Sequence, residues 1–202
     1  MKKVVILALM VLLLTGCSIV RINTNNIDTI VDVILSKNNN LYNRVGRGYK
    51  YYVPRGVTYI DTDDNNDKLY SKGNYYYLYV DVIGFYNGIQ IDYLEKKDIY
   101  YSRKFSKQDG FSSDGYLEIT NKDDFYYVVF VYNYAKIETI VAKNELNEVV
   151  LNSAYILSTI QFNSDVIGLM IDTDKINNWE EKYELFSNKK NDESSELQVS
   201  EQ

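Results

Sequence analysis

Acid–base chemistry in this sequence rests on carboxylates, because histidine is absent from all 202 residues. That absence excludes Ser-His-Asp triads, Cys-His dyads and imidazole metal sites. Hydrolysis of a glycosidic bond by two carboxylates about 5–10 Å apart stays open. Six acids lie in or beside predicted strands: Asp81, Glu95, Asp98, Glu118, Asp123 and Glu138. Asp81 interrupts an apolar strand and is the most interesting, but no spacing among the six is diagnostic. We therefore predict no catalytic residue and take an enzyme as the less favoured class.

The segment Asp61–Asp67 places acids and amides at alternate positions, as a calcium-binding EF-hand loop does where it begins. The comparison then fails, because Asn66 stands where that loop needs glycine and Lys72 stands where it needs glutamate. We interpret the segment as a solvated turn, with a weak calcium site as the alternative. The single cysteine also excludes a disulfide within the chain and a Cys-rich zinc site. We expect no metal and no cofactor.

A basic stretch stands out in a chain whose formal net charge is −6. The acidic balance makes nucleic acid a poor partner. The stretch around Gly46–Gly56 is interpreted as charge balance against the loop at Asp61. The alternative is contact with anionic lipid headgroups or wall phosphates. Its cations are Arg44, Arg47, Lys50 and Arg55.

Tyrosine is unusually frequent, with 21 copies. Tyr75, Tyr77 and Tyr79 alternate with apolar neighbours, so one set faces a core and the other faces away. An exposed aromatic face binds sugars or peptides, because the ring is apolar and its hydroxyl forms hydrogen bonds. Helices are available on both sides of the predicted sheet, so we expect a second layer to cover this face. The exposed face is the alternative.

The N-terminus has the order of features found in an export signal. Lys2 and Lys3 precede the apolar run Val4–Leu14, which is shorter than the roughly 20 residues that span a bilayer. Leu14-Thr-Gly-Cys17 follows at once and resembles the lipobox of bacterial lipoproteins. The resemblance implies that residues 1–16 are a cleaved signal peptide and that Cys17 carries a diacylglyceryl group. It also implies an extracytoplasmic protein anchored to the cell membrane, with residues 17–25 as its tether.

The rest of the chain predicts one α+β domain over residues 26–186, mainly an antiparallel sheet packed by an N-terminal helix and one or two C-terminal helices. Asn26 caps the first helix, which ends at Lys37–Asn40. A second helix starts behind Asn144 and ends at Gln161–Asn163. Val166–Ile171 is open between strand and helix, a further helix is predicted at Asp174–Phe186, and residues 187–202 form a disordered acidic tail. The predicted strands are 49–53, 57–60, 74–83, 89–94, 98–105, 115–120, 125–134 and 136–142.

The segments Gly48–Gly56 and Ile156–Asn163 are similar to parts of the PsbP-like α/β/α fold. In that family the sheet begins with a strand that is followed by a proline and a small turn, and a C-terminal helix ends in a similar short segment. The resemblance implies a non-catalytic assembly or accessory role. The sequence as a whole therefore predicts a binding or accessory module of the cell envelope, with a wall polymer or envelope protein as partner. A carboxylate-dependent hydrolase of wall glycan is the alternative.

Overall fold

The computed structural model describes residues 24–172. The predicted signal peptide, the lipid attachment at Cys17 and the beginning of the tether lie outside the described residues. So do the predicted helix Asp174–Phe186 and the tail 187–202. No helix within residues 24–172 is long and apolar enough to cross a membrane.

The described chain contains four α-helices and ten strands in two antiparallel sheets. The predicted α+β class is therefore confirmed. The elements in chain order are α1 (Ile27–Leu35), β1 (Arg44–Val45), β2 (Tyr49–Tyr51), β3 (Thr58–Asp63), β4 (Asn66–Ser71), β5 (Asn74–Val80), α2 (Val82–Asn87), β6 (Tyr101–Phe105), β7 (Gly115–Lys122), β8 (Phe125–Tyr132), β9 (Ala135–Ala142), α3 (Leu146–Ser158), β10 (Gln161–Phe162) and α4 (Ser164–Asp172).

The main sheet has seven strands in the order β3-β4-β5-β9-β8-β7-β6, and β1-β2-β10 form a smaller sheet. Tight hairpins join several neighbouring strands. Between β8 and β9 the turn residues Asn133 and Tyr134 both have positive φ, 51° and 57°. Two such residues are what a type I′ turn needs, and the twist of that turn matches the twist of the strands it joins.

The inner face of the main sheet is the face that α1 and α3 cover. The β5 residues Leu78 and Val80 on this face are completely buried. The Tyr132 hydroxyl on β8 donates to the Leu35 carbonyl at the end of α1, over 3.2 Å. Asn152 Nδ2 on α3 donates to the Tyr76 hydroxyl over 3.2 Å. Both predicted helices therefore pack on the same side of the sheet.

The two helices begin where the sequence predicts. Asn26 Oδ1 accepts from the backbone N–H of Asp28 over 2.8 Å, which caps α1. The buried side chains of α1 are Ile30, Val31, Ile34 and Leu35, the apolar positions of the helical period. Helix α3 ends at Ser158 and leads into β10. Val166–Ile171, left open by the sequence, belongs to α4.

Three segments differ from the sequence prediction. Strand β4 occupies Asn66–Ser71, where we expected a turn through Asp67. The predicted strand 89–94 is wrong, because this segment forms no strand. The predicted strand 74–83 ends early, because Val82–Asn87 forms α2. Asp81 Oδ1 caps that helix by accepting from the Gly84 N–H over 2.7 Å, and Gly88 ends it with φ 64°.

Candidate ligand-binding face

The outer face of the main sheet carries a group of tyrosines that the two packing helices do not cover. Tyr75 and Ile140 on this face are 44% and 40% exposed. The cross-strand register places Lys68 opposite Tyr77, and Tyr77 opposite Glu138. The outer tyrosine face, as we define it, consists of Lys68, Tyr70, Tyr75, Tyr77, Tyr127 and Glu138.

Three rings of this face contact one another in a short row. The Tyr70 and Tyr75 ring centroids are 5.1 Å apart, and those of Tyr75 and Tyr77 are 6.4 Å apart. Tyr70 and Tyr75 are cross-strand partners, so the sheet register fixes the first distance. The row offers apolar ring surface with hydroxyls on the same surface, an arrangement suited to amphipathic ligands.

Two charged side chains lie among the rings. Lys68 Nζ is 4.4 Å from the Tyr75 ring centroid, within the range of a cation–π contact. Glu138 lies on the central strand β9 and is 4% exposed. Its carboxylate accepts from the Tyr127 hydroxyl over 2.7 Å and pairs with Lys136 Nζ at 3.0 Å. Both contacts are made to Oε1, so the buried charge of Glu138 is paired and fixes the Tyr127 hydroxyl in position.

The expected second layer is incomplete among the described residues, since Tyr75 is 44% exposed while Tyr77 and Tyr79 are partly buried. The loop between α2 and β6 covers the outer face at its other end. There Tyr93 stacks on Tyr116 with centroids 3.9 Å apart. Lys96 Nζ pairs with Glu118 at 2.9 Å. The outer face is therefore covered near β7 and exposed near β5.

The six acids that remained open for catalysis have different surroundings. Asp81 caps α2, and Glu95 accepts from the Lys104 N–H over 2.7 Å. Asp98 is exposed, and Asp123 lies in the β7–β8 turn with φ 53°. The register puts Glu118 and Glu138 in one row with only Val129 between them.

Both carboxylates of this row are paired with a lysine. Lys96 Nζ lies 2.9 Å from Glu118, and Lys136 Nζ lies 3.0 Å from Glu138. The row therefore consists of two ion pairs.

The basic stretch and the acidic segment come together, as the charge-balance interpretation expects. Arg44, Arg47, Asp63, Asp64 and Asp67 line one cleft of about 500 Å³. The segment Asp61–Asp67 is divided between the two strands of a hairpin, with Asp61 and Asp63 on β3 and Asp67 on β4. Among residues 24–172 no three acidic or thiol side chains form a group that could hold a metal ion.

Asp67 points into the core instead of into solvent. Its Oδ2 accepts from the Tyr51 hydroxyl over 2.6 Å, which ties the small sheet to the main one. Burial raises the pKa of the Tyr51 hydroxyl well above its usual value, and the neighbouring Asp67 carboxylate raises it further. The tyrosine is therefore a fixed hydrogen-bond donor at physiological pH.

Sequence reasoning placed most of the outer tyrosine face in strands and missed Lys68 and Tyr70. It identified the alternation of Tyr75, Tyr77 and Tyr79, but it assigned no strand to Lys68 and Tyr70. The missing signal is the Lys72-Gly73 turn, whose φ values of 46° and 91° make it a hairpin that pairs Tyr70 with Tyr75.

Comparison of the chain with protein-family models, with curated proteins and with solved structures finds no match. The likeness of Gly48–Gly56 and Ile156–Asn163 to the PsbP-like fold and that of Leu14–Cys17 to a lipobox stay predictions.

Proposed function

We propose that this chain is a lipid-anchored protein of the extracytoplasmic side of the cell membrane, and that it binds a wall glycan through the outer tyrosine face. The observation that carries the binding function is the row Tyr70–Tyr75–Tyr77, whose rings are in mutual contact while Tyr75 stays 44% exposed. The anchor is supported by the signal-like N-terminus that ends in Cys17.

A glycan fits this face better than a peptide does. Peptides add to the free edge of a sheet or lie in a groove between elements. Strands β4 and β5 are paired on both sides, so they offer no free backbone edge. A sugar ring has an apolar C–H surface with polar groups around it, which matches flat tyrosine rings that carry hydroxyls. Lys68 beside Tyr75 adds a hydrogen-bond donor for sugar oxygens.

The binding test uses the full lipidated chain in detergent and insoluble wall glycan from which the peptides have been removed. We expect the purified chain to sediment with the glycan. The variant Tyr75→Ala should bind about 2- to 12-fold more weakly, which corresponds to the 0.5–1.5 kcal/mol of an aromatic contact. Tyr77→Ala should behave in the same way.

The matched control is Tyr86→Ala. Tyr86 is 47% exposed, close to the exposure of Tyr75, but it lies on α2. An equal loss of binding in Tyr86→Ala would show a non-specific effect of exposed tyrosine and contradict the assignment of the site. Binding that needs the wall peptides and ignores the stripped glycan would contradict the ligand class.

The anchor is tested separately in cells. Labelling with radioactive fatty acid should be abolished by Cys17→Ala, because the thiol is the only one in the sequence. A chain that is labelled equally well without Cys17 would contradict the anchor and leave the glycan assay as an independent test.

A further inference from the structure

A second surface lies at the edge of the small sheet and carries exposed apolar side chains. Leu41, Tyr42 and Val45 are 55%, 53% and 77% exposed. They occupy the end of the loop after α1 and the outer strand β1. Single exposed apolar residues are ordinary, but neighbouring ones of this size indicate an interaction surface.

Cations occupy the same surface. Val45 pairs with Lys50 across β1 and β2, and Lys50 Nζ lies 4.0 Å from the Tyr42 ring centroid. Arg55 lines an open cleft of about 540 Å³ together with Asn43, the residue after Tyr42. The basic rim, as we define it, consists of Leu41, Tyr42, Val45, Lys50 and Arg55.

Neither cation of the rim has an acidic partner in the part of the chain that the structure describes. No described carboxylate lies within 4.0 Å of the charged nitrogens of Lys50 or Arg55. Arg44 does not belong to the rim, because it lines the acidic cleft and stacks on the Tyr59 ring, with its guanidinium carbon 3.5 Å from the centroid. Cations without partners are notable in a chain of net charge −6, and they are complementary to an anionic surface.

We propose that the basic rim is the surface with which the anchored domain lies against an anionic bilayer. Lys50 and Arg55 contact the phosphates of the headgroups. Leu41, Tyr42 and Val45 enter the boundary between headgroups and acyl chains, where an aromatic ring with a hydroxyl is well placed. A wall polymer of phosphates would match the cations, but it offers nothing to the three apolar side chains.

The proposal rests on the lipid anchor of the proposed function. The eight residues from Ser18 to Asn25 reach at most about 28 Å when fully extended, so the domain stays close to the bilayer to which Cys17 attaches it. Rotation about this tether is enough to bring the rim into contact. The rim would then fix the orientation of the domain, which the tether alone leaves free.

The test measures how deeply two positions enter the bilayer. The lipidated full chain, with its only tryptophan removed by Trp179→Phe, is incorporated into vesicles of phosphatidylglycerol and phosphatidylcholine with brominated acyl chains. One variant carries Val45→Trp in the rim. The control carries Leu94→Trp, since Leu94 is 83% exposed. Leu94 lies in the loop that covers β7. Strand β7 is five strand spacings, or about 24 Å, from β3, and the Tyr59 ring of β3 contacts Arg44 of β1.

We expect the bromine atoms to quench the tryptophan fluorescence of Val45→Trp at least about two-fold more strongly than that of Leu94→Trp. Adding Lys50→Glu and Arg55→Glu should remove the difference, because the reversed charges repel the anionic headgroups. Vesicles of phosphatidylcholine alone should reduce it. Excess soluble polyphosphate should leave the quenching of Val45→Trp largely in place, because lipid also holds the apolar side chains.

Equal quenching at the two positions would overturn the proposal, since it would mean that the domain tumbles on its tether. Complete loss of the difference with soluble polyphosphate would also overturn it and point to a phosphate polymer as the partner. A chain that fails to enter the vesicles at all would contradict the lipid anchor. The glycan assay in detergent does not depend on any of these outcomes.

Discussion

Strand β5 carries tyrosines on both of its faces, and the neighbours Tyr75 and Tyr76 have opposite surroundings. Tyr76 on the inner face is 1% exposed and its hydroxyl accepts a hydrogen bond from Asn152 of α3. Burial raises its pKa to about 12. Tyr75 on the outer face is 44% exposed, and its described ring contacts are with Tyr70 and Tyr77 of the outer tyrosine face.

The difference shows that the high tyrosine content serves two purposes. The inner tyrosines are core residues that also satisfy buried polar groups, and each needs a partner for its hydroxyl. The outer tyrosines contribute a surface, and one of them, Tyr127, also donates its hydroxyl to Glu138. Composition alone does not separate the two sets, whereas the alternation along β5 does.

The largest expected effect is a difference in the free energy of unfolding between variants of the inner face and variants of the outer face. Leu78→Ala on the inner face of β5 should lower the free energy of unfolding by about 2–5 kcal/mol, because it leaves a cavity under α3. Tyr75→Ala on the outer face should change it by only about 0.5 kcal/mol. Urea denaturation of both variants measures the contrast. A loss of several kcal/mol in Tyr75→Ala would mean that the outer face is a covered core surface.

A second contrast concerns buried carboxylates, one on each face. Tyr51→Phe removes the hydroxyl that donates to Asp67, a hydrogen bond of 2.6 Å to a charged group, and should cost about 1.5–3 kcal/mol. Tyr127→Phe removes the corresponding donor to Glu138 but should cost less, about 0.5–1.5 kcal/mol, because Glu138 keeps its ion pair with Lys136. If the two variants lose the same free energy of unfolding in denaturant, the ion pair with Lys136 does not compensate Glu138 for its lost hydrogen bond.

The regular part of the fold is readable from the sequence because local signals and tertiary packing agree there. Strands β7 and β8 alternate between buried and more exposed side chains, and β9 does so apart from the buried Glu138, so the predicted positions of all three match within a few residues. The cap at Asn26 and the apolar period of α1 define the first helix in the same way. The antiparallel connection follows from short turns between such strands.

The failures occur where a distant partner decides the structure. Asp67 looks like part of a polar turn, and only the Tyr51 hydroxyl, sixteen residues away in sequence, explains its burial in β4. Segment 89–94 has the alternation of a strand, but its Tyr93 ring packs flat on Tyr116 and the backbone pairs with nothing in the described sheets. Which face of the sheet the helices cover is likewise a tertiary choice that no local pattern in the sequence encodes.

Alkaline pH tests the burial of Tyr76 on the inner face. Tyr76 has a folded-state pKa near 12, above the usual value of 10 in the unfolded chain, so its neutral form stabilises the fold at all pH values below 10. That contribution is lost as the pH rises from 10 through 12, and at pH 11 the loss is about 1.4 kcal/mol. Urea denaturation at pH 9 and pH 11 should show a smaller pH effect for Tyr76→Phe than for the parent chain. An identical effect in the two chains would contradict the assignment to Tyr76.

The smallest effect is expected where the helix-covered face meets solvent. Arg103 on β6 bridges two acids of α1, with nitrogen–oxygen distances of 3.0 Å to Asp28 and 2.7 Å to Asp32. Both acids are more than half exposed, so Arg103→Met should cost only about 0.2–1 kcal/mol for each pair. The cost should shrink in 1 M salt, where charges are screened over about 3 Å. A salt-independent loss above 2 kcal/mol would instead mean that this edge belongs to the core, and that α1 is fixed to the sheet by a desolvated ion pair as well as by its apolar side chains.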